Sequence, residues 1–175
     1  YKGGLYHDNM DFGVPSFWFV SWYDVATTPN IALFNHVRKN SVDQFVNDNQ
    51  YLVIAPTLHC GFTRATENTI VGERSVGDAR LNYDEQIYDW FDLMLKEKQN
   101  DFKENTPRIQ YYTMGSNKWQ SSEVWPPENT EMTRFYLSSD GSANTLYGDG
   151  KLTTLKRKIK NNSDTFLYDP MDPVT

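Results

Sequence analysis

The sequence predicts an α/β fold in its first part and an all-β fold after it. Two apolar runs, residues 14–23 and 51–58, are hydrophobic on both faces, as strands are when helices cover both sides of a sheet. A helix at 29–39 separates them, which predicts a strand–helix–strand unit of a parallel sheet. After residue 107 the helical period disappears, and short strand-like runs alternate with turn residues.

Two segments of the first part carry helical patterns. The first begins at Thr28-Pro29-Asn30, a start signal that three apolar residues at helical spacing follow. The second covers 83–96, where Asn82 and Glu85 form a candidate capping box. Its apolar stripe is expected to pack on the sheet and comprises Ile87, Tyr88, Phe91, Met94 and Leu95. Between the second strand and this helix, residues 60–80 read as a long loop, which in a compact domain is usually functional or mobile.

The later part of the chain is expected to be β-rich. A polar connector at 96–107 predicts a domain boundary, with one domain at 1–104 and the next at 105–175. Strand-like runs follow at 108–115, 133–137, 151–155 and 165–168. They are typical of a β-sandwich, or of the beginning of one. Because four or five strands leave the edges of a sheet exposed, we expect further strands after residue 175. Exposed edges can also pair between copies, so a homo-oligomer is considered.

Composition excludes several classes of protein. The chain has 175 residues, 38% hydrophobic, and a net charge of -6 with no sustained basic stripe, so neither a nucleic-acid partner nor a membrane partner is expected. A single cysteine, Cys60, permits no internal disulfide. The three histidines, His7, His36 and His59, are scattered, and no metal or cofactor is expected. The sequence begins with Tyr1 rather than Met, which suggests a segment of a longer protein.

An acid and a base follow the two predicted strands. Asp24 comes directly after the first run and His59 directly after the second. Carboxyl ends of neighbouring parallel strands share one edge of the sheet, about 4.8 Å apart, so these side chains can form a hydrogen bond. Such a pair handles protons in acyl transfer, although an Asp at the end of a strand is more often a cap or turn residue, and a His after a turn that contains proline is often a loop residue. The sequence contains no Gly-x-Ser-x-Gly turn, so the nucleophile of a triad is not in it.

Several motifs resemble one hydrolase family. Residues 21–24 (Ser-Trp-Tyr-Asp) and 55–59 (Ala-Pro-Thr-Leu-His) are similar to the Gly-Trp-Tyr-Asp and Gly-Pro-Trp-x-His elements of the CocE/NonD serine hydrolases, relatives of X-Pro dipeptidyl-peptidases, cocaine esterase and α-amino-acid ester hydrolases. Later motifs resemble the opening of that family's C-terminal jelly-roll domain and lie at 112–119, 125–127, 135–137 and 168–174. The resemblance implies the C-terminal part of an α/β-hydrolase sheet followed by the beginning of a jelly-roll β-sandwich.

The resemblance also implies a function. Asp24 matches the triad acid and His59 the triad base, whereas the family's serine and oxyanion hole lie upstream of the matched region. The chain is therefore expected to be an inactive fragment of an ester, amide or X-Pro peptide hydrolase. Trp22 and Tyr23, beside the acid, either shape an acyl pocket or pack in the core. The segment after Asp24 lacks the acidic residues of amino-ester hydrolases, which disfavours that specificity.

Two other interpretations remain from the residues alone. A non-catalytic β-sandwich that binds carbohydrate or protein, on a remnant scaffold, is the alternative function. Its groove would use aromatic side chains that otherwise pack in the core or at a domain interface, namely Tyr111, Tyr112, Trp119, Trp125 and Tyr136. A dyad of Cys60 with His59 is disfavoured, because neighbouring residues usually point their side chains apart.

Overall fold

The chain forms two compact units that divide between Glu128 and Asn129. The computed structural model describes residues 13–156 and 163–172. The first unit contains β1 (Ser16–Tyr23), α1 (Thr27–Asn40), α2 (Gln44–Asp48), β2 (Gln50–Leu58), β3 (Thr69–Val71), β4 (Arg74–Gly77), α3 (Tyr83–Lys96), α4 (Phe102–Asn105), β5 (Ile109–Thr113) and β6 (Lys118–Ser122). The second unit contains β7 (Tyr136–Ser138) and β8 (Lys151–Thr153).

A mixed sheet organises the first unit. Its strand order is β1-β2-β5-β6, in which β1, β2 and β5 are parallel and β6 pairs antiparallel with β5. The chain passes from β1 through α1 and α2 into β2, which is the predicted strand–helix–strand connection. Every residue of β2 except Leu58 is buried. The expected α/β architecture with a buried central strand is therefore present.

Helices cover both faces of this sheet. Alternate residues of β1 point to opposite sides. Val20 packs with Ile31 and Phe34 of α1 on one side, in a core that also holds Leu52, Ile54 and Ile109. Phe17 packs on the other side with Trp90 of α3 and Phe102 of α4. Two-sided burial is what makes the β1 and β2 sequences apolar without alternation.

The predicted packing stripe of α3 is only partly correct. The bounds Tyr83–Lys96 agree with the prediction, but the most buried side chains are Tyr83 and Trp90. Tyr88 is 70% exposed and Leu95 is 74% exposed, so the buried face is rotated away from them. The predicted capping box is absent as well: Asn82 makes no side-chain cap to the backbone, and its amide instead donates to the Glu85 carboxylate.

The predicted loop at 60–80 contains regular structure. It holds a 3-10 turn at Phe62–Arg64 and the antiparallel hairpin of β3 and β4. Val71, Val76 and Ala79 form a small core around Tyr112 of β5. The Tyr112 hydroxyl donates to the Val76 carbonyl at 2.5 Å, which attaches the hairpin to the sheet.

The strands β5 and β6 belong to the first sheet, although the sequence predicted a boundary between residues 104 and 105. Ile109 of β5 lies opposite Leu52 of β2, and neither has measurable exposure. Moving β5 into another unit would uncover both side chains. The compact units accordingly divide later, at Glu128, and the assignment of 105–175 to one family domain stays a prediction.

The second unit has an antiparallel pair rather than the predicted series of strands. Tyr136 of β7 lies opposite Thr153 of β8. The run at 165–168 forms no strand, so that prediction is wrong. Its side chains are exposed, and none of the residues that the structure describes pairs with this run in a ladder. Across residues 13–156 and 163–172, no helix has the length and apolarity required to cross a bilayer.

Candidate active site

The candidate site lies where β1 and β2 end. Tyr23 and Leu58, the last residues of the two strands, are opposite each other in the parallel register. Asp24 and His59 follow them directly, so both side chains leave the sheet at the same level. The structure joins them: His59 Nδ1 lies 2.5 Å from Asp24 Oδ2. A carboxylate only accepts hydrogen bonds, so the proton between them is on Nδ1.

The Asp24 carboxylate is fixed at both oxygens. Oδ1 accepts a 2.8 Å hydrogen bond from the backbone N–H of Ala26, and Oδ2 accepts the bond from His59. Only 12% of the Asp24 side chain is exposed. The Ala26 bond, followed by the His59 bond, holds the pKa of the Asp24 carboxyl below its ordinary value. Asp24 is therefore an anion at neutral pH, with its second oxygen directed at the imidazole.

The imidazole of His59 is open on its other side, with 72% of its side chain exposed. Since Nδ1 carries the proton to Asp24, Nε2 of the neutral ring has a free lone pair. Nε2 can then accept a proton from a group brought to it, and Asp24 can stabilise the cation that results.

A tight turn holds His59. The N–H of Gly61 donates to the Leu58 carbonyl at 2.9 Å, so His59 and Cys60 occupy the two central positions of a β-turn. Cys60 has φ of 53°, a left-handed conformation that favours glycine or asparagine. A Cβ added to Gly61 would lie 3.0 Å from the Leu58 oxygen, which leaves little room there for another residue.

Aromatic packing anchors the next residues. Phe62 stacks on Phe19 of β1 with ring centroids 5.1 Å apart, and it meets Tyr83 of α3 at 5.3 Å. The ring of Phe62 thus ties the segment after His59 to the sheet and to the start of α3. Sequence reasoning had assigned no role to Phe62, and an isolated aromatic residue in a polar loop is the signal that could have found it.

Trp22 and Tyr23, the two predicted pocket residues, lie in different surroundings. Trp22 donates from Nε1 to the Tyr112 carbonyl at 2.7 Å, and its ring lies 5.9 Å from that of Trp125. These contacts pack the partly buried Trp22 against the core. Tyr23 is 38% exposed and lines an open depression of about 590 Å³ together with Val71, Glu73 and Arg74. Of the two, Tyr23 is the one that lines this open depression.

Three buried hydroxyl residues near the pair were missed as functional candidates. Ser21 is 2% exposed, Thr57 is 4% exposed and Thr27 is 7% exposed. Ser21 and Thr57 place their hydroxyl oxygens 3.1 Å apart across β1 and β2. The available signal was a polar residue inside an otherwise apolar strand, since such residues require a hydrogen-bond partner when buried.

The remaining site predictions can be placed as follows. Cys60 is an exposed free thiol in the His59 turn. In the described part of the chain, no three His, Cys, Asp or Glu side chains converge as metal ligands, and His7 lies outside that part. Trp119 packs edge-on against Tyr112 at 5.3 Å and donates to the Arg80 carbonyl at 3.0 Å, whereas Trp125 packs on Tyr111. These contacts agree with packing rather than with an open groove.

Comparison with known proteins adds independent information. Residues 100–173 match the family model described as the X-Pro dipeptidyl-peptidase C-terminal non-catalytic domain. Over 156 residues the chain is 29% identical to the cocaine esterase of Rhodococcus sp. (strain MB1 Bresler). This match covers 87% of this chain and 25% of the esterase. Two proteins named as candidate serine esterases, from Mycobacterium bovis and Mycobacterium tuberculosis, are 27% identical over 90 residues, 51% of this chain and 13% of theirs.

These matches extend over both structural units and agree with the motifs at the strand ends. The chain spans about a quarter of the length of the cocaine esterase that it matches. The predicted resemblance to the CocE/NonD hydrolases is confirmed: residues 100–173 match the X-Pro dipeptidyl-peptidase C-terminal non-catalytic domain, and 156 residues of the chain are similar to a cocaine esterase.

Proposed function

We propose that this chain supplies the acid, Asp24, and the base, His59, of a serine hydrolase that works through an acyl-enzyme. The observation that carries the proposal is the 2.5 Å bond from His59 Nδ1 to Asp24 Oδ2, with the rest of the imidazole exposed. The serine is proposed to come from a Gly-x-Ser-x-Gly turn outside the 175 residues, which contain no such turn. The chain alone is then inactive.

The chemistry follows from the fixed tautomer. Asp24 keeps the proton on Nδ1, so Nε2 removes the proton of the serine hydroxyl as its oxygen attacks the acyl carbon. The imidazolium that forms is stabilised by the Asp24 carboxylate. Nε2 then returns the proton to the leaving oxygen or nitrogen, and the same steps with water release the acid.

An ester or amide of a small molecule is the proposed substrate class. The names of the relatives as esterases favour an ester, and the match to the X-Pro dipeptidyl-peptidase domain keeps a peptide substrate as the second choice. Comparing p-nitrophenyl esters with X-Pro anilides in the complete hydrolase separates the two.

A proposal about the fold rests on the strand pairing and on the family match. We propose that β1, β2 and β5 are strands of an α/β-hydrolase sheet, and that the second unit is the opening of a jelly-roll β-sandwich. The parallel pairing of the three strands supports the first part. The antiparallel pair of β7 and β8, with the family match over 100–173, supports the second. A structure of a longer chain would test both.

A fluorophosphonate probe tests the division of the triad. The 175-residue chain is expected to remain unlabelled, because it has no activated serine. Labelling of this chain, or esterase turnover that Cys60→Ala abolishes, would contradict the proposal.

The role of His59 is tested in a hydrolase completed with the serine-bearing segment. There His59→Ala is expected to lower kcat by about 10³-fold or more, with the fold retained. His36→Ala is the matched control, because His36 lies on α1 away from the strand ends. Full turnover in the His59→Ala variant would exclude His59 as the base.

A further inference from the structure

Asp24 lies in a short loop between β1 and α1 that has little packing of its own. The residues on either side, Tyr23 and Val25, are exposed, and Val25 is 98% exposed. Two backbone amides contact Asp24: Ala26 N–H donates to Oδ1 at 2.8 Å and Thr27 N–H donates to the carbonyl at 3.2 Å. Side-chain contacts from outside the loop therefore contribute to the position of Asp24.

The Thr27 hydroxyl provides such a contact. Thr27 is the first residue of α1, and the helix N-cap, Ala26, has no side-chain cap. The Thr27 Oγ1 lies 2.9 Å from the Asp24 carbonyl oxygen and also contacts the carbonyl oxygen of Ser21. Its single proton is shared between these two acceptors. One hydroxyl thus links the start of α1, the loop residue Asp24 and the strand β1.

Ser21 extends the link to the second strand. Its hydroxyl lies 3.1 Å from that of Thr57, which is two residues before His59 in β2. Ser21, Thr27 and Thr57 are all buried, so the Ser21–Thr57 hydroxyl contact and the contact of Thr27 with the Ser21 carbonyl are shielded from water. The carbonyl that Thr27 holds therefore belongs to a residue tied to the strand that carries the base.

We propose that Thr27 is a positioning residue for Asp24, whose hydroxyl fixes the Asp24 loop on β1 so that Oδ2 stays within hydrogen-bond distance of His59 Nδ1. The functional consequence rests on the proposed role of the Asp24 and His59 pair. A misplacement of about 1 Å in a catalytic group can cost about 10²-fold in rate.

Two substitutions isolate the hydroxyl. Thr27→Val keeps the shape of the side chain and removes its donor, whereas Thr27→Ser keeps the donor. Thr69→Val is the matched control: Thr69 is similarly buried at 6%, and its hydroxyl also donates to a carbonyl, that of Thr66, at 3.0 Å. The readout is the ¹⁵N chemical shift of the two imidazole nitrogens of His59 in the 175-residue chain.

Thr27→Val is expected to move the His59 shifts toward the tautomer mixture of a free imidazole, whereas Thr27→Ser and Thr69→Val leave them unchanged. In the complete hydrolase, Thr27→Val is expected to lower kcat by about 10²-fold with KM retained. Unchanged His59 shifts in folded Thr27→Val would overturn the inference. If Thr27→Val alters the His59 shifts but His59→Ala retains activity in the complete hydrolase, the inference about Thr27 holds and the proposed function is overturned.

The wild-type chain gives a test that does not depend on the folding of a variant. The Thr27 hydroxyl proton, held between the buried Ser21 carbonyl oxygen and the partly buried Asp24 carbonyl oxygen, is expected to exchange slowly with water and to show a contact with the Asp24 backbone. Rapid exchange of that proton would contradict the inference.

Discussion

Tyr23 of β1 lies opposite Leu58 of β2, one residue further along β2 than the pairing of Ser21 with Ala55 would place it. The extra residue falls in the segment of Pro56 and Thr57. Proline has no N–H to donate to a ladder, so an irregularity costs little there. Without the shift, Asp24 would be level with Leu58; with it, Asp24 is level with His59. A one-residue irregularity in β2 therefore brings the acid and the base together.

Acid titration should reveal the Asp24 contacts. The folded-state pKa of Asp24 is lowered by the Ala26 amide and by His59. Its stabilisation is therefore present above the ordinary Asp pKa, about 4, and is lost as the pH falls through the lowered value. The difference in free energy of unfolding between wild type and Asp24→Asn, measured in urea, is expected to be larger at pH 7 than at pH 2.

Asp78→Asn is the control for this titration. Hydrogen bonds from Arg80 lower the pKa of Asp78 as well, so its removal should show the same pH dependence. Only Asp24→Asn is expected to change the tautomer of His59, because Asp78 has no contact with that ring. A pH-independent effect of Asp24→Asn on stability would contradict the prediction.

The left-handed conformation of Cys60 predicts opposite effects of two substitutions. Cys60→Gly removes a conformational penalty of about 1–2 kcal/mol and adds freedom to the unfolded chain, for a net gain of up to about 1 kcal/mol. Cys60→Val is expected to destabilise the chain, because a β-branched residue tolerates this conformation poorly. Urea unfolding measures both changes.

Glu97 provides a matched control, since its φ is also 53° and it ends α3 away from the site. Glu97→Gly and Glu97→Val should change stability in the same directions. Only Cys60→Val should also alter the His59 ¹⁵N shifts, because Cys60 shares the turn with His59. An equal change of those shifts in Glu97→Val would show that the effect is not local.

Phe62→Ala should loosen the segment that follows His59. The half-buried ring contacts Phe19 and Tyr83, so its loss is expected to cost about 2 kcal/mol, below the range for fully buried phenylalanines. Amide exchange at Gly61 and Arg64 should accelerate. Phe45→Ala is the control, as Phe45 is 54% exposed, and the prediction fails if both variants affect these amides equally.

Much of the site was accessible from the sequence because local patterns determine it. The apolar runs at β1 and β2 read as strands covered on both faces, and the rule for carboxyl ends then placed Asp24 and His59 at one edge. The register shift at Pro56 was not accessible. The shift determines which residue lies opposite Asp24, and it depends on the pairing of two strands. Ser21 and Ala55, which are paired, lie 34 residues apart in the chain.

The error in the packing stripe of α3 has a tertiary cause. The stripe on α3 was predicted from helical spacing, which cannot distinguish between overlapping faces of a helix. In the structure the face that contains Trp90 is buried, because Trp90 packs with Phe17 and Tyr51 of the sheet. The boundary predicted between residues 104 and 105 rests on the polar connector before β5, and it stays a prediction. The pairing of β5 with β2 is a long-range contact that composition along the chain does not encode.

Trp22 and Tyr23 can be separated by kinetics in the complete hydrolase. Trp22→Phe removes the hydrogen bond to the Tyr112 carbonyl and is expected to lower the free energy of unfolding by about 1 kcal/mol with KM unchanged. Tyr23→Ala alters the open depression that Tyr23 lines and is expected to raise KM with little change in stability. Denaturant unfolding and steady-state kinetics on both variants give the comparison. A larger change of KM in Trp22→Phe than in Tyr23→Ala would place the tryptophan in the substrate pocket, contrary to its contacts with Trp125 and Tyr112.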